Sequence, residues 1–377
     1  MLIPGMPPLP SQPDIEVHIP FSLSLARGIL EGVNRFRAEH PGLAVAIHDY
    51  GGKQPLRHCR AVIGFSPRLF REDLGKEVRA AVNLSNHYNP PPTHSVLNDD
   101  SEVGLIAADH LVDLGFRSFA FARLDGVHFS NLRFQGFRDR LRERMGAPGL
   151  EVPNLDQADR DAILASLPTP CGLLAANDHA AARTVETALA AGLRVPEDLA
   201  VLGVDDDPIR CAMSPVELSS VRLNNVAHGY EAMVLIQELL KSGRAPHKRI
   251  IRLIPPLGVS TRRSTDTFAH PHPGVVAALR AVRDQIRELR GVQDLARACG
   301  LGTRSLERLF REHLQTSPKE ALTQSRFRFA RNLLIESNLT INEVAERAGY
   351  GDVRTLIWQC RRNAGMTPLA LRKRFRV

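Results

Sequence analysis

The sequence predicts two fold classes in one chain. Residues 14–263 read as an α/β region of doubly wound parallel sheets, and residues 275–377 as an all-α domain. Three observations carry this. Short apolar runs alternate with amphipathic stretches through the first region, the pattern of strand–helix–strand units. A helix-turn-helix pattern is written twice toward the C-terminus. Charge divides the same way: the chain has 49 Lys and Arg against 41 Asp and Glu, yet from His270 onward there are 20 basic and 10 acidic residues, leaving 29 and 31 for the remainder.

Taken in order, the apolar runs place strands at Ile15–Ile19, Leu43–Ile47, Ala61–Gly64, Ala80–Leu84, Phe119–Ala122, Gly172–Ala175 and Leu199–Val204. Helices with one apolar face fall between them at Leu23–His40, Glu102–Leu114, Phe134–Arg144, Ala180–Ala191 and Ala227–Lys241. About 250 residues is large for one open sheet and comfortable for two lobes. The segment 264–274 has the Pro, His and Gly content of a linker, and residues 1–13 read as a proline-rich, disordered tip. His270 and His272 within the linker make a poor metal pair.

The all-α domain opens with a helix over Val275–Leu289. The first helix-turn-helix unit runs from Val292 through Gly300 to Phe310, and the second from Ile341 through Gly349 to Cys360. A glycine at each turn can take positive φ, which lets two helices meet steeply. Ser317-Pro318-Lys319-Glu320 and Thr340-Ile341-Asn342-Glu343 are capping boxes that open the connecting helix and the second unit. Helical spacing turns Leu306, Leu309, Phe310 and Leu314 inward in the first unit, leaving Arg304, Glu307, Arg308 and Arg311 outward. In the second unit Val353, Leu356 and Cys360 turn inward, and Arg354, Ile357, Trp358 and Arg361 outward. Such a face, on a basic domain, implies contact with double-stranded DNA, the arginines reaching base edges or phosphates. An outward Ile and Trp are equally compatible with a protein contact.

Other classes find little support. The five cysteines at 59, 171, 211, 299 and 360 contain no C-x-x-C pair, so neither a disulfide framework nor a zinc site is indicated. No run is long enough for a membrane span or a signal peptide, and a cytoplasmic protein is expected. No G-x-G-x-x-G, P-loop, H-E-x-x-H or G-x-S-x-G motif is present, so an enzyme is not expected and no cofactor is called for.

At strand ends in the α/β region stand Asn177, Asp178 and Asp205, each after an apolar run, where polar side chains face a crevice. Carboxylates and amides there suit a polyhydroxylated ligand, whose hydroxyls donate to oxygen acceptors. Asp178 could instead cap the helix beginning near Ala180. Asp205-Asp206-Asp207 could be read as a cation cluster, although consecutive residues converge poorly on one ion.

Several stretches resemble known families. Asp99 with Gly104-Leu-Ile-Ala-Ala-Asp-His110-Leu-Val-Asp-Leu-Gly115, then Leu174-Ala-Ala-Asn177-Asp178, Val195-Pro-Glu-Asp198-Leu-Ala-Val-Leu-Gly203-Val-Asp205-Asp206, and Pro215 through Val221 are similar, in order, to signatures of the LacI/GalR sugar-repressor core. The C-terminal domain resembles the AraC/XylS DNA-binding domain, with Leu309-Phe310-Arg311 intact. The second unit departs from that pattern, carrying Leu356, Cys360 and Ala364 where phenylalanines are usual and Trp358 where arginine is frequent; unless neighbours fill the space, cavities would follow. The resemblance implies a two-lobed, periplasmic-binding-protein-like core whose chain crosses between lobes three times. One lobe would comprise 14–117 with about 222–245, the other 118–221 with about 246–263. It implies a small sugar effector, a pentose foremost, held in the cleft by Asp205, Asn177 or Asp178, and Arg133 ahead of Gly136-Phe137, with Phe21 and Phe129 as ring-stacking candidates. Arg133 could also be a surface arginine on its helix. A homodimer controlling carbohydrate-metabolism genes is the implied assembly; the alternatives are a ligand-independent regulator whose core serves only dimerisation, or a sugar-modifying enzyme.

Overall fold

The computed structural model describes residues 13–49, 59–65, 77–87, 89–146, 154–155, 164, 166–242, 248–270, 272–314 and 316–375. The N-terminal tip up to residue 12 lies outside this set.

Among the described residues the α/β region contains two six-stranded sheets. The first has the order β11-β5-β4-β3-β1-β2, with β1 Ile15–Ile19, β2 Val45–Asp49, β3 Ala61–Gly64, β4 Ala80–Asn83, β5 His94–Asn98 and β11 Ile251–Ile254, all parallel. The second has the order β12-β10-β9-β8-β6-β7, with β6 Ser118–Ala122, β7 Asn154–Leu155, β8 Cys171–Ala175, β9 Leu199–Val204, β10 Ser219–Arg222 and β12 Gly258–Ser260. Only β12 in that sheet runs antiparallel. Continuous apolar strands such as β8 and β9 are buried along their whole length, as strands covered on both faces must be.

In the first lobe α1 (Ala26–Glu39) and α6 (Asn225–Ser242) lie on one face, where Ile29, Val33 and Phe36 meet Ala232, Met233 and Ile236 over Ile15, Val17 and Ile19. In the second, α2 (Asp100–Asp113) and α3 (His128–Met145) cover one face through Val103, Ala107, Leu111, Phe137 and Leu141. Helix α4 (Asp178–Ala190) and the short α5 (Pro208–Met213) cover the other through Ala181, Val185 and Cys211. Glycines let both helix pairs cross closely. A Cβ on Gly104 would lie 2.2 Å from the Arg133 carbonyl oxygen, and one on Gly32 would lie 2.0 Å from that of Val226.

The chain crosses between lobes three times, but not where the resemblance placed two of the crossings. Helix α2 belongs to the second lobe, because its apolar face packs on α3; the first crossing therefore falls at residues 98–100 rather than near 117. Strand β11 extends the first sheet by pairing with β5, so the third crossing falls between Ile254 and Gly258, not near 245. The second lobe continues through Ser264 and Thr265, both fully buried, two residues into the segment expected to be a linker. Further along that segment, Phe268 and Ala269 also pack on the core: Ala269 donates its N–H to the Leu114 carbonyl, and Phe268 packs against apolar residues of both domains.

The C-terminal domain has seven helices among the described residues: α7 Pro273–Asp284, α8 Val292–Ala298, α9 Thr303–Leu314, α10 Pro318–Glu336, α11 Ile341–Arg347, α12 Val353–Ala364 and α13 Pro368–Phe375. The α8–α9 and α11–α12 turns hold Gly300 at φ +66° and Gly349 at φ +75°. Of the two expected capping boxes, Thr340 with Glu343 forms the reciprocal one, whereas at the other Ser317 accepts from the Glu320 N–H but the Glu320 side chain takes Gln324 instead of closing back on the cap. In the second unit Leu356 and Cys360 belong to a buried cluster against which Phe327, Phe329, Leu333, Tyr350 and Met366 pack.

Helix α10 also docks on the α/β region. Arg331 donates to the Pro256 carbonyl at 3.0 Å, in the third crossing. Glu336 pairs with Arg222, in the second, and Arg328 pairs with Asp113 at the end of α2.

Candidate ligand cleft and DNA-reading face

The carboxyl ends of the strands in each lobe face a crevice between them, where the site is assembled. Asp205 follows β9 with φ +114° and Asp206 with φ +56°, conformations that a non-glycine residue keeps only when its surroundings enforce them. Three amides in succession are held. Asp205 N–H donates to the Val221 carbonyl at 3.0 Å, Asp206 N–H to Ser220 Oγ at 3.0 Å, and Asp207 N–H to Asp178 Oδ2 at 2.8 Å. Asp178 is thus a support beneath the turn. It is 1 % exposed, its Oδ1 accepts from Ser220 Oγ at 2.6 Å, and its Oδ2 also takes the Cys211 thiol. Gly203 is required beside it, since a Cβ there would stand 2.1 Å from Asp178 Oδ1. Of the two expected roles for the pair, capping goes to Asn177, whose side chain accepts from the Ala180 N–H.

Arg133 is buried, not a surface arginine. Its Nε donates to Asp100 Oδ1 at 2.8 Å and its Nη1 to the Ala176 carbonyl at 2.5 Å. Asp100 Oδ2 accepts from Asn86 Nδ2 at 2.8 Å, which ties the pair to the first lobe. The start of α3 reaches the same loop: His128 N–H donates to the His87 carbonyl and Phe129 N–H to that of Asn86. Arg133 Nη1 stands 3.9 Å from Asp205 Oδ1, beyond hydrogen-bond reach, and its guanidinium lies 4.8 Å from the Phe129 ring centroid. Phe21 is half-exposed just after β1, its N–H donating to Asp49 Oδ1.

Burial dominates the electrostatics. It pushes Asp205 up to about 7, against the pull of Arg133, and Asp178 up to about 6, against its hydrogen bonds. Asp100 is raised for the same reason, opposed by Arg133 and Asn86. A carboxyl whose folded pKa is raised stabilises the fold fully at acid pH, and that contribution is lost as pH rises through the folded value. The unliganded cleft thus works against its own charge near neutrality, and donors arriving from a ligand would relieve it.

A cavity of about 260 Å³ opens between the lobes, lined by Gly28, Asp205, Asp206, Asn224, Asn225 and the Arg222 crossing. Of the six ligand candidates read from the sequence, only Asp205 lines it. Sequence reasoning missed Asn86, Asp100 and Asn225. Asn225 offers a buried Oδ1 with no donor, and its signal was a paired Asn at the start of α6. A larger space of about 710 Å³ lies between α2 and the C-terminal domain, but it is lined by ion-paired groups such as Asp109, Asp113, Arg140 and Arg328.

On α9, Arg304, Glu307, Arg308 and Arg311 are all exposed, while Leu306, Leu309 and Phe310 are buried. On α12, Arg354, Trp358 and Arg361 are exposed; Ile357 is only partly so. The Trp358 side chain is 54 % exposed and meets the Arg362 guanidinium 5.2 Å from its ring centroid. His270 and His272 form local hydrogen bonds where the chain enters α7. His270 Nδ1 accepts from the His272 N–H, and His272 caps α7 by accepting from the Gly274 N–H.

Two lobes with a crevice, followed by paired helix-turn-helix units, define a DNA-binding transcription regulator with a periplasmic-binding-protein-like core. Family models agree: a periplasmic binding protein-like domain matches residues 108–265 and a helix-turn-helix domain, of the AraC type, residues 295–374. The chain is 30 % identical over 284 residues to the xylose operon regulatory protein of Escherichia coli (strain K12), covering 72 % of this chain and 71 % of that one. It is 27 % identical over 289 residues to the protein of the same name from Haemophilus influenzae, covering 74 % of each. The chain belongs to the xylose operon regulator family. Its fold is similar to that of the xylose-binding transcription activator xylR, at a TM-score of 0.58 and 23 % identity, covering 98 % of this chain and 100 % of that one. A LacI family regulator from Enterococcus faecium with bound ribose shares the core fold at a TM-score of 0.54 and 18 % identity, over 68 % of this chain and 99 % of that one. No helix among the described residues is long and apolar enough to cross a membrane.

Proposed function

We propose that this protein is a cytoplasmic homodimer, without catalytic activity, that binds a pentose such as xylose between its lobes. It controls carbohydrate-metabolism genes through its C-terminal domain. The observation that carries the sugar reading is the open 3.9 Å step between Arg133 and Asp205 at the cleft floor. A donor-rich guanidinium fixed by Asp100 and an acceptor carboxylate held on a strained turn are what vicinal hydroxyls and a ring oxygen require. Relatives named as xylose operon regulators make a pentose the leading candidate. Dimerisation joins two reading heads, whose binding reinforces through effective concentration.

A thermal-shift screen of pentoses and hexoses on the full-length protein tests the sensor. A sugar at 100 times its dissociation constant stabilises by about 2.7 kcal/mol, and a flat response to every sugar would favour a core that only dimerises. Chemically unchanged sugar should be recovered after incubation, which separates binding from catalysis. Asp205→Ala is expected to abolish the calorimetric signal, since the lost acceptor bonds are worth roughly 1.5–3 kcal/mol each; wild-type affinity in that variant would remove Asp205 from the site.

For the reading face, binding-site selection on three variants gives distinct outcomes. Arg308→Ala is expected to cost about 1–3 kcal/mol and relax one base position. Arg311→Ala should weaken all sequences evenly and lower the salt slope by about one unit. With its ring exposed, Trp358→Ala should relax only the half of the site read by α12 and leave stability unchanged; a loss of dimerisation instead would assign the ring to a partner subunit.

A further inference from the structure

Strand β1 carries a feature that the cleft and the reading helices leave unused. Alternation sends Ile15, Val17 and Ile19 to the apolar face under α1 and α6, and turns Glu16 and His18 to the opposite face. His48 joins them from the edge strand β2, because the parallel register sets His18 beside His48. Glu16 is 0 % exposed and His18 3 %. One Glu16 oxygen, Oε2, lies 2.9 Å from His18 Nε2. The other, Oε1, is buried with no hydrogen-bond partner, and so is His48 Nε2, 4.0 Å away. A hydrogen bond does not close over that distance. The two imidazoles stack, ring centroids 4.8 Å apart.

We propose that Glu16, His18 and His48 form a binding site for one zinc-class divalent cation that clamps edge strand β2 to β1. The three donor atoms all lie within 4.8 Å of one another. Nitrogen and oxygen ligands about 2.0–2.2 Å from a shared zinc sit roughly 3.3 Å apart, so small side-chain rotations bring them onto one ion. Two imidazoles and a carboxylate select a borderline ion over calcium or magnesium, which prefer all-oxygen shells. A cation there satisfies both orphaned atoms at once, and a water completes the tetrahedron. The clamp is also placed to matter: Asp49, next to His48, accepts the Phe21 N–H at the lip of the cleft.

Cobalt(II) reports the site without activity. Full-length protein stripped with a chelator is expected to bind one equivalent, giving the visible bands of a tetrahedral ion. His48→Gln, at a ring already 16 % exposed, is expected to weaken that binding by more than the roughly 10–100-fold that loss of an outer-shell partner costs. Glu16→Gln provides a second, isosteric variant should the first fold poorly. Zinc-edge X-ray absorption on the wild type is expected to show two imidazoles, oxygen and no sulfur. Equal cobalt binding by wild type and both variants, no binding by the wild type, or sulfur in the zinc shell would each overturn the assignment.

Discussion

Replacing Arg133 with methionine is expected to destabilise the protein by about 3–5 kcal/mol, because it leaves a buried carboxylate uncompensated. Asp100 is 2 % exposed, and burial already raises its pKa against the opposing pull of Arg133. Without the guanidinium, the fold must either protonate Asp100 and Asp205 or carry both charges unpaired. The cost should therefore grow as pH rises, since a raised carboxyl pKa favours the fold only while the group is protonated. Urea denaturation measures it, and the double variant Arg133→Met/Asp100→Asn supplies the control. Partial recovery in the double variant is the expected result; no recovery would show that the loss lies in packing rather than in stranded charge. Sugar response should disappear even where the variant remains folded.

Gly104→Ala is expected to cost more than about 3 kcal/mol, at the upper end of what overpacking does. The added methyl would lie 2.2 Å from the Arg133 carbonyl oxygen and 2.5 Å from the Phe137 nitrogen, both backbone atoms that cannot rotate away. The helices α2 and α3 would have to separate, and the second lobe's core residues Val103, Ala107 and Phe137 would lose contact together. Gly42→Ala, with nothing within 4 Å of the added atom, is the matched control. Equal urea midpoints for the two variants would mean that the crossing tolerates what the geometry forbids.

Legibility in the sequence followed the locality of the signal. The alternating strand Ile15–Ile19 and the apolar run Leu199–Val204 were readable to the residue, and so were the turn glycines and the Thr340–Glu343 capping box. Strands β5 (His94–Asn98) and β10 (Ser219–Arg222) were not: they are short and partly polar, and their burial comes from neighbours distant in sequence. The lobe boundaries failed for the same reason, because α2 follows a first-lobe strand yet packs on second-lobe α3. At the site, a strand-end carboxylate pointed equally to Asp178 and Asp205. Only the hydrogen bonds from Ser220 and Asp207 show that one supports the turn that the other crowns. Asn86 and Asp100 carried no local mark, since their importance is that each meets Arg133's network from another part of the chain.

The docking of α10 on two of the three crossings has a thermodynamic consequence. Arg331 holds the Pro256 carbonyl and Glu336 holds Arg222, so the helix joining the two reading units is fastened where the lobes hinge. If closing the cleft moves those crossings, the reading units move with them, and the two sites share one coupling free energy. Reciprocity then makes the operator itself an effector: whatever factor sugar contributes to DNA affinity, bound DNA must return to sugar affinity in equal measure. A regulator seated on its promoter would answer to a different sugar concentration from the same molecule free in solution.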